Sequence, residues 1–256
     1  MAEKSLILLV LFLIGVVFGS FLNVLIYRFG EGENRDKILT GRSYCPNCKT
    51  PIRWYDNIPL ISYWALGRRC RHCGWKIPLR YLAVELIGGI TPAVFYLIFG
   101  KNGWGDVISY TAMVYILLVI SLIDWKTFEV PDIFSLGGVV LGLAFSPFRS
   151  FPPFTESLLA ALAGFFLVVL IILVYRKVRG IIPLGMGDAK VLALIGAFEG
   201  FNGIFSSLFW GSLFALLFFL PAIVKNRTLS FAVPFVPFLA LGAVVGLFLP
   251  KLVWWF

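Results

Sequence analysis

Charge is what this sequence has least of. Only 14% of its 256 residues are Asp, Glu, Lys or Arg, against about 25% in ordinary soluble domains. A compact soluble fold needs more polar surface than that to cover itself. Histidine is nearly missing: His72 stands alone, which removes Ser-His and Cys-His catalysis from every apolar segment. No glycine-rich loop follows a predicted strand, so a nucleotide-binding fingerprint is absent as well. Acidic residues number 13 against 22 basic ones, for a net charge of +9. In so apolar a chain that surplus reads as basic loops held on the cytoplasmic side of a membrane, and nucleic acid is not expected as a partner.

What is present is apolar length. The chain is 60% hydrophobic, carries 26 Phe, and has a mean hydropathy of +0.93. A membrane helix takes about 20 apolar residues, with a range of roughly 17 to 25. Runs near that length fall at 5–27, 81–99, 106–124, 132–147, 156–176, 181–199, 203–224 and 232–250. The expectation is an all-α integral membrane protein of about eight transmembrane helices. The run 5–27 is too long for a signal-peptide core, has few charges before it and no small-residue cleavage site after it, so it is read as a retained first helix. The polar stretch 28–80 cannot enter lipid and is expected to be a small extramembrane domain. The domain reading is therefore 1–27, first helix; 28–80, polar domain; 81–256, a membrane domain of about seven helices.

Orientation follows from the basic residues. Eleven fall in 28–80, and Lys126, Arg176, Lys177, Arg179, Lys190, Lys225 and Arg227 fall in connections on the same side, together 18 of the 22. Lys4, Lys101, Arg149 and Lys251 are left for the other side. Both termini then lie outside and the 28–80 domain is cytoplasmic.

All four cysteines sit in that domain, as Cys45-Pro-Asn-Cys48 and Cys70-Arg-His-Cys73. Two C-x-x-C turns facing one point make a closed tetrahedral site of the structural zinc type. A reducing compartment argues against disulfides, and a small domain poor in apolar residues needs a metal to order it. Free thiols or a redox pair are the other reading. His72 lies inside the second pair, but with four sulfurs available it is placed as a solvated neighbour.

Two acidic residues stand out at the membrane edge. Asp124 ends the third apolar run, and Asp188 follows Gly185-Met186-Gly187 inside another. An ionisable group in such a segment costs on the order of 2.5–3.5 kcal/mol by insertion scales and marks a functional site by default. Pro183, Gly185 and Gly187 disfavour regular helix around Asp188, and irregular backbone at that depth is tolerated where it lines a wet cavity. Two carboxyls there would share a proton, one acting as acid and one as base on a water. A plain alternative has Asp124 at a helix end and Asp188 paired with Lys190. A proton-coupled transporter would need the same broken helix and the same two Asp residues, and a non-enzymatic assembly factor docking through the 28–80 domain is a third possibility.

Taken together, these segments resemble the type 4 prepilin peptidases, membrane aspartyl proteases with a G-x-G-D motif. The resemblance rests on Gly19-Ser20-Phe21-Leu22-Asn23-Val24, the doubled cysteine box, Asn57-Ile58-Pro59-Leu60-Ile61-Ser62-Tyr63, Arg80-Tyr81 with Glu85, Ile123-Asp124 through Val130-Pro131-Asp132, and Gly185-x-Gly187-Asp188 with Lys190. It implies that Asp124 and Asp188 are catalytic and that Cys45, Cys48, Cys70 and Cys73 bind zinc. It further implies removal of the basic leader of a prepilin or pseudopilin after a glycine, at the cytoplasmic face of the bacterial inner membrane. N-methylation of the new N-terminus with S-adenosylmethionine is expected to follow. Pro234-Phe235-Val236-Pro237 departs from the family's usual Pro-Phe-Gly-Pro, and the stretch between Tyr27 and Cys45 is short for it.

Gly185, Gly187, Lys190, Asp132 and Glu85 are supporting residues in this reading. Asp132 is placed to N-cap the fourth helix, Glu85 to orient the site or hold a polar substrate group, and Lys190 to act on Asp188 by its charge or to snorkel. Asn23 is expected to hydrogen-bond between helices.

Overall fold

The computed structural model describes residues 2–30, 43–180, 183–226 and 233–248. These residues form helices α1 (Ala2–Gly30), α2 (Ile61–Ala65), α3 (Leu79–Phe99), α4 (Trp104–Thr127), α5 (Asp132–Phe145), α6 (Phe154–Arg179), α7 (Met186–Asn226) and α8 (Val236–Phe248). No strand occurs among the described residues, only two isolated antiparallel bridges, Tyr44 with Pro51 and Arg69 with Lys76. The all-helical expectation therefore holds. Part of the short connection before Cys45, 31–42, lies outside the described residues, as does Arg227.

Among the described residues, five helices are long and apolar enough to cross a membrane: α1, α3, α4, α6 and α7. The runs at 132–147 and 232–250 give shorter apolar helices, α5 and α8. The runs at 181–199 and 203–224 are joined in α7, which is broken at Gly200, whose φ of 68° and ψ of −156° are not helical. A left-handed φ at no steric cost is what glycine offers. Each of the eight apolar runs thus contributes helix among the described residues, though not always as a separate long helix.

The chain divides into two compact units, Met1–Lys101 and Asn102–Phe256. In the first, α1 and α3 pack together along small residues. A Cβ on Gly15 would sit 2.3 Å from the Gly88 carbonyl oxygen, and one on Gly88 would sit 2.8 Å from the Gly19 Cα. Gly15 and Gly19 are spaced G-x-x-x-G, the pattern that lets helix backbones touch where lipid supplies no hydrophobic drive. Asn23 on α1 donates from Nδ2 to the Tyr81 carbonyl at the start of α3, 2.9 Å away, the interhelical bond expected of it.

The second unit has a thick apolar core. Met113, Leu117, Ile120 and Ile123 of α4, Leu192, Leu194, Ile195 and Phe198 of α7, and Leu239 of α8 are essentially fully buried. The outer faces carry exposed Phe166, Leu170 and Leu173 on α6 and Phe205 and Phe209 on α7. Such outward apolar faces suit lipid and not water. The 186–199 part of α7 is enclosed by its neighbours, so its first turn is a fixed platform.

Candidate active site

In the first unit, residues 43–52 and 68–77 fold twice into the same turn, 25 positions apart. Cys45 N–H donates to the Thr50 carbonyl and Lys49 N–H to the Cys45 carbonyl; Cys70 N–H donates to the Trp75 carbonyl and Gly74 N–H to the Cys70 carbonyl. Lys49 and Gly74 both take positive φ, 57° and 68°, closing each knuckle so that two sulfurs face inward. The four sulfurs lie within 4.8 Å of one another, with Cys45 to Cys73 at 3.8 Å and Cys48 to Cys70 at 3.9 Å. A zinc tetrahedron with bonds of about 2.3 Å has edges of about 3.8 Å, whereas a disulfide needs about 2.05 Å. The donor set and its spacing fit zinc, and the four sulfurs leave no position open.

The sulfurs differ in their surroundings. Burial pushes the Cys45 thiol up to about 11, while the Thr50 hydroxyl, 3.3 Å from Cys48 Sγ, helps bring that thiol down to about 6. A bound divalent cation would hold all four as thiolates. Arg71 in the second knuckle forms a two-bond pair with Asp56, at 2.9 and 2.6 Å. This hydrogen-bonded cation holds the Asp56 carboxyl below the usual carboxylate range. His72 is exposed, as a solvated neighbour should be.

Glu85 is also in this unit. It is buried on α3, and its Oε2 accepts the Leu60 N–H at 2.8 Å. Leu60 has a φ of 62°, so Glu85 anchors the strained start of α2 within the Asn57–Tyr63 segment.

The second unit holds the aspartates. Asp124 lies in the last turn of α4, where its backbone carbonyl accepts the Phe128 N–H at 2.9 Å and Phe128 ends the helix with a left-handed cap. Its side chain is buried, its Oδ2 has no hydrogen-bond partner, and the Val236 backbone N–H bonds to the carboxylate. The position that departs from the family pattern thus reaches Asp124 through its main chain, and its side chain is accommodated in the interior, 1% exposed.

Asp188 lies in the first turn of α7. Its Oδ2 accepts the Gly185 N–H at 2.9 Å, and its own N–H donates to the Gly185 carbonyl at 3.1 Å. The side-chain bond is the backward half of a capping box, with the acid three residues into the helix reaching back to its start. Asp124 and Asp188 are close enough for their charges to interact. They sit at opposite helix poles: the dipole favours negative charge on Asp188 and disfavours it on Asp124.

Two contacts bring the carboxylates together. A Cβ on Gly187 would fall 2.7 Å from Val130 Cγ2, so this glycine lets the turn after α4 lie against the first turn of α7. Lys190 forms an ion pair with Asp132, tying the start of α5 to the same turn. Three expectations need correction here. Asp132 is the first residue of α5 and makes no cap, because the N-cap is Pro131 and the acid turns to Lys190 instead. Lys190 is accordingly not the partner of Asp188. The irregular backbone ends at Gly185, and Gly187 is already helical, since the Asp188 cap starts the helix there.

Sequence reasoning missed a further buried carboxyl in the membrane segments. Glu199 is buried beside the Gly200 break, with Oε1 unpartnered, and lies within the field of the buried Arg149. Arg149, counted above with the cations of the other side, lies in the connection between α5 and α6 and turns inward: its guanidinium donates to Ser157 Oγ at 2.6 Å and to the Ala197 carbonyl at 2.7 Å, capping the C-terminal end of the 186–199 segment. The signal for Glu199 was available, an acid inside an apolar run, as for Asp188.

These features define an all-helical integral membrane protein with a four-cysteine cluster able to hold a metal ion and a buried carboxylate pair at two helix ends. Residues 13–99 match the bacterial peptidase A24 N-terminal domain and residues 111–220 match the type IV leader peptidase family. The chain belongs to the type IV leader peptidase family. Similar proteins include a prepilin leader peptidase/N-methyltransferase of Neisseria gonorrhoeae, 31% identical over 80% of this chain and 78% of the relative. Those of Klebsiella pneumoniae and Burkholderia pseudomallei strain 1026b bear the same name. The first is 35% identical over 79% of this chain and 89% of its own length, the second 30% over 92% and 83%. No solved structure matches the chain.

Proposed function

We propose that this protein is an intramembrane aspartyl endopeptidase that removes the basic leader from type IV prepilins or pseudopilins and then N-methylates the new N-terminus. Asp124 and Asp188 are the acid and base. Asp188, at the positive end of α7 and holding the Gly185 N–H, stays the acceptor and draws a proton from a water. Asp124, at the negative end of α4, carries the proton and gives it to the departing amine. The water oxygen bonds to the carbonyl carbon of the leader's last residue, the glycine, as the C–N bond that follows it breaks. Gly185 and Gly187 shape the turn, and the Lys190–Asp132 pair fixes it. Relatives of the same name and family support the substrate class. The observation that carries the mechanism is the interaction of two buried carboxyls, one of them with an unpartnered oxygen.

The four-cysteine module is a structural zinc site in the 28–80 domain, and methyl transfer draws on S-adenosylmethionine. Eight membrane crossings, counting α7 as two, put 18 of the 22 basic residues on the cytoplasmic side of the bacterial inner membrane. The active site faces that side, where a basic leader meets the anionic lipid surface. Incubating the purified protein with a prepilin and taking an intact mass of the product tests both activities. Loss of the leader and gain of one methyl are expected, and an unchanged mass would refute the reading.

A further inference from the structure

Residues 57–66 of the polar domain turn the usual order of a surface segment inside out. In α2 the buried residues are Ser62 and Tyr63, while Ile61 and Trp64 are 64% and 59% exposed. The hydroxyl is satisfied inward: Ser62 Oγ donates to the Tyr55 carbonyl and accepts the Ile58 N–H, both at 3.0 Å. A polar group turned in and an apolar face turned out call for an apolar neighbour outside. One hydrogen bond sets the depth of that face. The 21 residues of α3 measure about 31 Å at 1.5 Å per residue, close to the hydrocarbon thickness of about 30 Å. Glu85 lies one and a half turns past Leu79, about 9 Å along the axis, and its carboxylate accepts the Leu60 N–H at 2.8 Å. An extended Glu side chain and that bond together reach back less than this distance. Leu60 and the start of α2 therefore sit below the level of Leu79, at the depth of about 5–10 Å to which interfacial segments insert. The charge above them is of one sign. Residues 43–80 hold seven basic residues and one acid, Asp56, which is already paired with Arg71. Arg68 is exposed, with its guanidinium 4.9 Å over the Trp64 ring, so a cation borders the apolar face.

We propose that Ile61, Trp64 and Arg68 form an interfacial anchor that docks the polar domain on the anionic phospholipid leaflet around α1 and α3. Ile61 and Trp64 enter the acyl boundary, where tryptophan is the favoured interface residue, and the Arg68 guanidinium meets lipid phosphate. The surplus of basic residues around them gives the domain the charge that an anionic leaflet attracts. The Arg68 carbonyl also accepts the Ile77 N–H at 2.8 Å, closing the ends of the second cysteine turn. The anchor therefore leads directly into that turn and holds it at the membrane surface. The inference requires α1 and α3 to cross a membrane but neither of the proposed activities.

Photolabelling from the lipid tests this on the full-length wild-type protein in nanodiscs. The probe is phosphatidylglycerol or phosphatidylcholine carrying a diazirine near the carbonyl end of one acyl chain, and adducts are mapped by peptide mass. Label is expected on residues 57–66 as well as on α1 and α3, which serve as internal standards. Label on α1 and α3 with none on 57–66 overturns the anchor. A chain labelled nowhere overturns it together with the membrane crossing of α1 and α3. Relative to those helices, phosphatidylglycerol should label 57–66 about fivefold more than phosphatidylcholine, the ratio that one basic side chain supplies at an anionic surface. Arg68→Gln should abolish this preference, and equal labelling by the two lipids in the wild-type protein overturns the phosphate contact. Loss of the label on 57–66 alone when a prepilin is added would assign the face to a protein partner and overturn the proposal.

Discussion

In the first unit α1 and α3 touch backbone to backbone through Gly15, Gly19 and Gly88, and the polar segment above them is organised around four sulfurs and the Glu85–Leu60 bond. In the second unit the aspartates stand on helix ends set in a dense apolar core of α4, α7 and α8. One region depends on a few localised ties, any of which is decisive. The other distributes its stability over many side chains and, in the proposed mechanism, concentrates chemistry in two carboxyls. Substitutions should therefore fail differently: in the first unit by loss of local order, in the second by loss of rate with the fold intact.

The largest effect belongs to the aspartates. Asp124→Asn or Asp188→Asn should lower leader cleavage by at least the 10²–10⁴-fold that general acid–base catalysis typically contributes. The protein should still insert and melt normally, as checked by cleavage rate alongside a thermal scan. Removal of the metal by a strong chelator, or Cys45→Ser, should release one zinc per chain and open residues 43–77 to proteolysis. If the second unit keeps its protection while this happens, the contrast between the units is sharpened; uniform unfolding would break it. Gly187→Val forces Val130 away from α7 and should slow cleavage by about 10²-fold, as a misplacement of about 1 Å does. Gly15→Leu, on the other side of the comparison, should destabilise by about 1–3 kcal/mol by overpacking the α1–α3 contact. The smallest effect is expected of Lys190→Ala. Its partner Asp132 is 62% exposed, so a pair worth about 0–1 kcal/mol is lost and the rate should fall only a few-fold.

Much of this was legible in the chain. Apolar run length gave every membrane-embedded helix, because lipid leaves no other way to satisfy the backbone. The doubled C-x-x-C pointed to the four sulfurs that the structure brings within 4.8 Å of one another, because two sulfurs three apart need only one tight turn. Asp124 and Asp188 stood out because charge is scarce. What could not be read was which residues meet. The Lys190–Asp132 pair spans 58 positions and depends on how α5 returns against α7. The join of two runs at Gly200 was hidden because a glycine is equally at home in a loop or a broken helix. In the sequence Arg149 is only one of four basic residues left for the other side. Only tertiary structure brings Ser157 and the Ala197 carbonyl to it.

The central claim is that the two carboxyls work as one unit, and the cleavage rates of Asp124→Asn, Asp188→Asn and the double variant on a prepilin test it most directly. Groups acting together lose nearly everything with the first substitution, so all three proteins should fall to the same residual rate. Losses that multiply in the double variant, or a single variant that still cuts at the wild-type rate, would contradict the account.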